Sequence, residues 1–160
     1  MGDQRARLTG KNDMGAYLFT AKSPRITING VTGRMIADKR DPNGEHPHLP
    51  AYAKTCTVYF YPGPDGKAVQ AKVYKDGRMI MDIDWSHTHV NNVRKGGDGK
   101  VFPKGTAHIQ EYRCQRIKDP KTGKWKDKFV RLSNFARSPT AAERKLLGGL
   151  IHYFNPDVIF

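Results

Sequence analysis

Asp76 and Gly77 stand between the runs AVQAKVYK and RMIMDIDW, and this dipeptide limits the fold more than any other feature of the chain. A type I′ turn needs positive φ at both central positions, which Asp-Gly supplies at low cost, so the two runs are read as adjacent antiparallel strands. Similar β-rich runs recur on either side. TCTVYFY and the turn PGPDGK precede the pair, and after a glycine-rich loop, NNVRKGGDGKVFPKG, come AHIQEYRCQRI, the turn KDPKTG and KWKDKFVRLSN. The pattern predicts an antiparallel β-meander of about five strands.

The ends of the chain read differently. Residues 1–54 carry Gly, Pro, Asn and Asp at close intervals and are expected to form an irregular, partly strand-forming N-terminal arm. Within it HPHLP must be extended, since each proline biases its predecessor away from the helix, and His46 and His48 are read as turn histidines before metal ligands. In the last section, ARSPTAAERKLLGGLIHYFNPDVIF, Thr140 and Glu143 fit a capping box, and Leu146, Leu147, Leu150, Ile151 and Phe154 form an apolar stripe. A C-terminal helix packed on one face of the sheet, with the other face free for a ligand, makes the fold α+β. Gly148 and Gly149 weaken that helix and imply close packing there. At 160 residues the chain suits a single domain, with a basic α+β body over residues 55–160.

Charge narrows the partners. Lys and Arg number 28 against 15 Asp and Glu, a formal +13 that attracts polyanions, so nucleic acid is the leading partner, ahead of an anionic membrane surface or no partner at all. No apolar run approaches the ~20 residues of a membrane span, and the opening MGDQRARLTG has no apolar segment behind its charges. The expectation is a soluble chain without an export signal. Cys56 and Cys114 both fall in predicted strands and are read as buried thiols, and the missing CxxC pair removes the common structural zinc arrangements.

The chemistry concentrates in DIDWSHTHVNN. Alternation along RMIMDIDW puts Arg78, Ile80, Asp82 and Asp84 on one face and Met79, Met81, Ile83 and Trp85 on the other, with His87 and His89 just beyond the strand end. If AHIQEYRCQRI pairs antiparallel with that strand, His108 arrives beside them. Three readings use such a cluster. Imidazoles acting as acid and base cleave RNA through its 2′-hydroxyl with no cofactor: His108 and His87 as base and acid, His89 in support, Asp82 and Asp84 orienting the rings, and Lys72 or Arg113 meeting the phosphate charge. Alternatively Asp82, Asp84, His87 and His89 hold a divalent metal that activates water. In the third reading nothing reacts, and the protein is a non-catalytic nucleic-acid-binding protein such as a phage or accessory factor. Arg94, Lys95, Lys100 and Lys104 in the glycine-rich loop, and Lys121, Lys124 and Lys126 around Trp125, are candidate phosphate contacts. Trp125, Tyr112, Tyr59, Tyr61 or Phe102 could stack on bases, with core packing the simpler role for most.

The pattern DxDxxHxH followed by an AHIxEY strand, carried by Asp82, Asp84, His87, His89, His108, Tyr112 and the KVYKDGR hairpin over residues 67–117, resembles C-terminal ribonuclease toxin domains of bacterial polymorphic and contact-dependent systems. These belong to the broad group that includes barnase, the colicin ribonucleases and RelE. Such domains usually begin with one or two helices, where residues 1–54 here read as irregular. The resemblance implies an RNA-cleaving toxin acting in the cytoplasm of a producing or target cell and neutralised by an acidic immunity protein.

Overall fold

Asp76 and Gly77 take φ of 51° and 78°, and they join β4 (Ala68–Lys75) to β5 (Arg78–Asp84) in the expected antiparallel hairpin. The computed structural model describes residues 23–36, 49, 52–53 and 56–160, so His46 and His48 lie outside the described residues. β3 (Val58–Pro62), β4, β5, β8 (His108–Lys118) and β9 (Trp125–Arg131) are neighbours in that order, each antiparallel to the next, and they make up the anticipated meander.

The sheet is wider than five strands. β1 (Ile26–Ile28) and β2 (Val31–Met35) form a hairpin around Asn29 and Gly30, both at positive φ, and β2 then pairs parallel to β3, giving seven strands in one sheet. Part of the expected arm is therefore sheet edge. A separate two-stranded ribbon, β6 (His89–Val90) with β7 (Val101–Phe102), folds within the loop between β5 and β8.

α1 (Ala141–Phe154) has the capping box read from sequence: Thr140 Oγ1 accepts from the Glu143 amide, and the Glu143 carboxylate accepts from the Thr140 amide. Leu147, Leu150, Ile151 and Phe154 are buried against Val31, Met35, Val58, Phe60, Ile83 and Ile109. Leu146 departs from the expected stripe and is half exposed. A Cβ on Gly33 would lie 2.7 Å from Leu150 Cδ2, so the helix sits almost on the β2 backbone. Asn155, the C-cap, donates to the Ala68 carbonyl at 2.7 Å and ties the helix end to β4. No helix among the described residues is long and apolar enough to cross a membrane.

The opposite face is only partly open, which corrects the expectation of a free face. Ile36, Leu49, Ala53, Cys56, Tyr59, Tyr61 and Tyr74 form a second apolar cluster over β3 and β4. What remains uncovered is a strip across β4, β5 and β8. Its composition depends on a bulge: Tyr74 pairs with Met79 but Val73 with Met81, so Ile80 is an extra residue. Beyond it the faces exchange. Ile80 packs with the helix-side core and Met79 with the second cluster, against the simple alternation expected of RMIMDIDW.

Candidate functional site

Two cross-strand ladders build the floor of the uncovered strip. Gln70, Asp84 and His108 face one another across β4, β5 and β8, and so do Lys72, Asp82 and Gln110. Directly opposed residues on one face have Cβ atoms about 4.5–5.5 Å apart, so six polar side chains are forced together by register alone. Tyr112, two residues past Gln110, is paired with Arg131 on β9. Ile83 and Ile109 point the other way into the core, which settles the orientation of β8. The six ladder residues, Tyr112 and Arg131, with His87, His89 and Leu49, line a cleft of about 410 Å³.

His87 and His89 enter from the segment that turns out of β5. Asp84 Oδ1 accepts from both the amide and the hydroxyl of Ser86 at 2.7 Å, fixing the turn, and lies 3.5 Å from His87 Nδ1. The Ser86 hydroxyl donates its one hydrogen bond to Asp84, so at 3.1 Å it accepts from His87 Nδ1 and leaves Nε2 with the lone pair. His89 is oriented by Asn91, buried and anchored by donating to the Ala136 carbonyl and accepting from the Ala136 amide. The Asn91 oxygen is thus an acceptor, and the contact of 3.2 Å assigns His89 the Nε2–H tautomer with Nδ1 free. Sequence reading missed Asn91, because nothing in HVNN marks one asparagine as buried.

His108 is only 4% exposed, and its Nδ1 has no hydrogen-bond partner among the described residues. Burial pushes its pKa down to about 4, with the neighbouring His89 and His87 adding to the effect and Asp84 opposing it. Its ring stacks on His89 at a centroid distance of 4.7 Å and meets His87 edge-on at 5.2 Å. Phe102, buried beneath both His89 and His108, is a packing surface and not a base-stacking platform; Tyr59 and Tyr61 are core residues likewise.

Asp82 accepts from the Tyr112 hydroxyl at 2.8 Å and pairs with Lys72 Nζ at 3.3 Å. Lys72 also donates to the Leu49 carbonyl at 3.0 Å. Burial, reinforced by the Asp82 carboxylate, raises the Tyr112 phenol to about 12. With neutral imidazoles, Lys72 and Arg131 balance Asp82 and Asp84 among the residues lining the cleft.

Several expected site residues stand elsewhere. Arg113 is exposed and alternates away from Tyr112; Arg131, which sequence reading passed over, occupies the position beside the phenol. Arg94, Lys95, Lys100, Lys104, Lys121, Lys124, Trp125 and Lys126 are all exposed, and none lines the cleft. Of the metal set expected from Asp82, Asp84, His87 and His89, only the two histidines belong to the group whose ligand atoms converge among the described residues, all within 4.8 Å of one another: His87, His89 and His108. Compared with known protein families, curated proteins and solved structures, the chain matches none.

Proposed function

We propose that this protein cleaves RNA by imidazole acid–base catalysis. The observation that carries the reading is the meeting of His108 with His87 and His89, from two separated segments, in a cleft that also presents Lys72, Arg131 and Tyr112. In this scheme His108 takes the proton of a ribose 2′-hydroxyl, and the resulting oxyanion attacks the adjacent phosphorus. The P–O5′ bond then breaks, and the leaving oxygen takes a proton from His87, leaving a 2′,3′-cyclic phosphate and a 5′-hydroxyl. Burial keeps His108 unprotonated at neutral pH, the state a base requires, although it also makes the ring a weak base. Asp84 forms an ion pair with His87 whenever that ring is protonated. Lys72 and Arg131 are placed to meet charge developing on the phosphate.

The resemblance to ribonuclease toxin domains points the same way and extends the reading to an acidic protein that would cover the cleft. The test is incubation of purified protein with total RNA and EDTA. Cleavage to cyclic-phosphate ends is expected, with His87→Ala and His108→Gln each losing about 10²–10⁴-fold, the usual worth of a positioned acid or base. RNA that stays intact both with EDTA and with added metal leaves only the binding reading. Cleavage that EDTA abolishes and a metal restores assigns the chemistry to an ion.

A further inference from the structure

Acid–base cleavage explains why imidazoles meet but not why so many meet so closely. Three of them converge here, where an acid and a base need two. Each offers one ring nitrogen to a group spanning no more than 4.8 Å, and no other such group occurs among the described residues. His87 and His89 are held in opposite tautomers, the first through Nδ1 by Ser86 and Asp84, the second through Nε2 by Asn91, so each keeps one defined lone pair. Bound metals commonly rely on such carboxylate and amide partners to orient their histidines. His108 is the buried member of the group, and its Nδ1 has no hydrogen-bond partner among the described residues, although leaving a buried polar atom unpaired is costly to the fold.

We propose that His87, His89 and His108 form a binding site for a transition-metal dication of the zinc class, and that its occupancy silences RNA cleavage. The donor set decides the ion. Three neutral imidazoles suit zinc, copper, nickel or cobalt and disfavour magnesium and calcium, which take oxygen. Asp84 stands outside the converging group, and its oxygens accept from Ser86 and Gln70. A tetrahedral ion with bonds of about 2.0–2.1 Å sets its nitrogens about 3.3 Å apart, so the cluster must contract by roughly 1.5 Å at most. The exposed His87 ring can supply much of that by rotation, and one ring of the stacked His89–His108 pair must turn. All three histidines line the cleft, which gives an ion a route in from solvent.

Silencing follows from electron pairs. A ring nitrogen bound to a metal can neither accept a hydroxyl proton nor carry one to a leaving oxygen. This half of the proposal rests on the imidazole-cleavage reading, whereas metal binding does not.

The two halves are read separately. The full chain, stripped with EDTA and dialysed free of it, is titrated with cobalt(II). One equivalent is expected to give the visible bands of a four-coordinate site, displaced by zinc and untouched by magnesium. His87→Ala changes an exposed residue and should fold; it is expected to lose the bands, whereas Ser86→Ala should weaken binding by about 10–100-fold. In the RNA assay one equivalent of zinc is expected to stop cleavage and EDTA to restore it. Absent bands, or bands unchanged in His87→Ala, overturn the site. Cobalt bands from a protein that never cuts RNA uphold the site and sink the cleavage reading. Zinc that raises cleavage overturns the silencing.

Discussion

Asp82 comes to face Lys72 across the cleft because of one extra residue in β5. Counting back from the Lys75–Arg78 pair, an unbroken hairpin would set Lys72 opposite Met81; the bulge at Ile80 moves its partner to Asp82. The sequence displayed Lys72 and both aspartates but not the slip that unites them, since no local signal in RMIMDIDW marks a bulge. Arg131 was hidden for a related reason: its place beside Tyr112 depends on the register of a hairpin whose turn lies far from either residue. Under the cleavage reading Arg131→Ala should lower kcat by about tenfold or more. Arg113→Ala, changing a residue on the opposite face, should leave kcat unaltered, and steady-state kinetics on a short oligoribonucleotide compare the two. His108 makes a prediction about stability. Its pKa is about 4 folded against 6.5 unfolded, so between those values the unfolded chain binds more protons. Stability should therefore fall as pH drops from about 6.5 to 4. Urea denaturation of the metal-free protein at several pH values measures the slope, and His108→Gln should flatten it.

Elements were more legible than individual side-chain placements. The Asp76–Gly77 turn, the meander and the capped helix all follow from short-range signals, and the structure contains each of them. The β1–β2 hairpin carried an equally plain signal in Asn29–Gly30, masked because the surrounding glycines and prolines gave the whole segment an irregular look. The paired glycines of α1 offer a test of packing against propensity. A Cβ at 148 would meet only Phe160, at an ordinary 3.9 Å, whereas one at 149 would lie 2.8 Å from Ile28 Cγ2. Gly148→Ala should therefore stabilise the fold by about 0.5–1 kcal/mol through helix propensity. Gly149→Ala should destabilise it by about 1–2 kcal/mol once overpacking outweighs that gain. Chemical denaturation of the two variants decides the point, and equal effects would mean that β1 yields without resistance.

Across the whole molecule, charge and chemistry occupy different places. Among the described residues the excess of Lys and Arg lies at exposed positions on β8, β9, α1 and the turns, while the cleft is close to balanced. Affinity for RNA should accordingly be indifferent to His87→Ala and steeply dependent on salt. Replacing Lys121, Lys124 and Lys126 together by Glu is expected to reduce the slope of log K against log salt by about 2–3, at roughly 0.7–0.9 for each phosphate that the protein no longer neutralises. Fluorescence anisotropy with single-stranded RNA at several salt concentrations would show it, and an unchanged slope would remove that hairpin from the interface.

β9 also ends the sheet, so no neighbouring strand among the described residues bonds its outer backbone groups. Lys124, Lys126 and Lys128 repel a second copy approaching along that rim and so guard against fibrous stacking of the kind unprotected sheet margins invite. Exchanging them for uncharged residues would strip this protection, whereas the glutamate series keeps the rim charged and the protein dispersed.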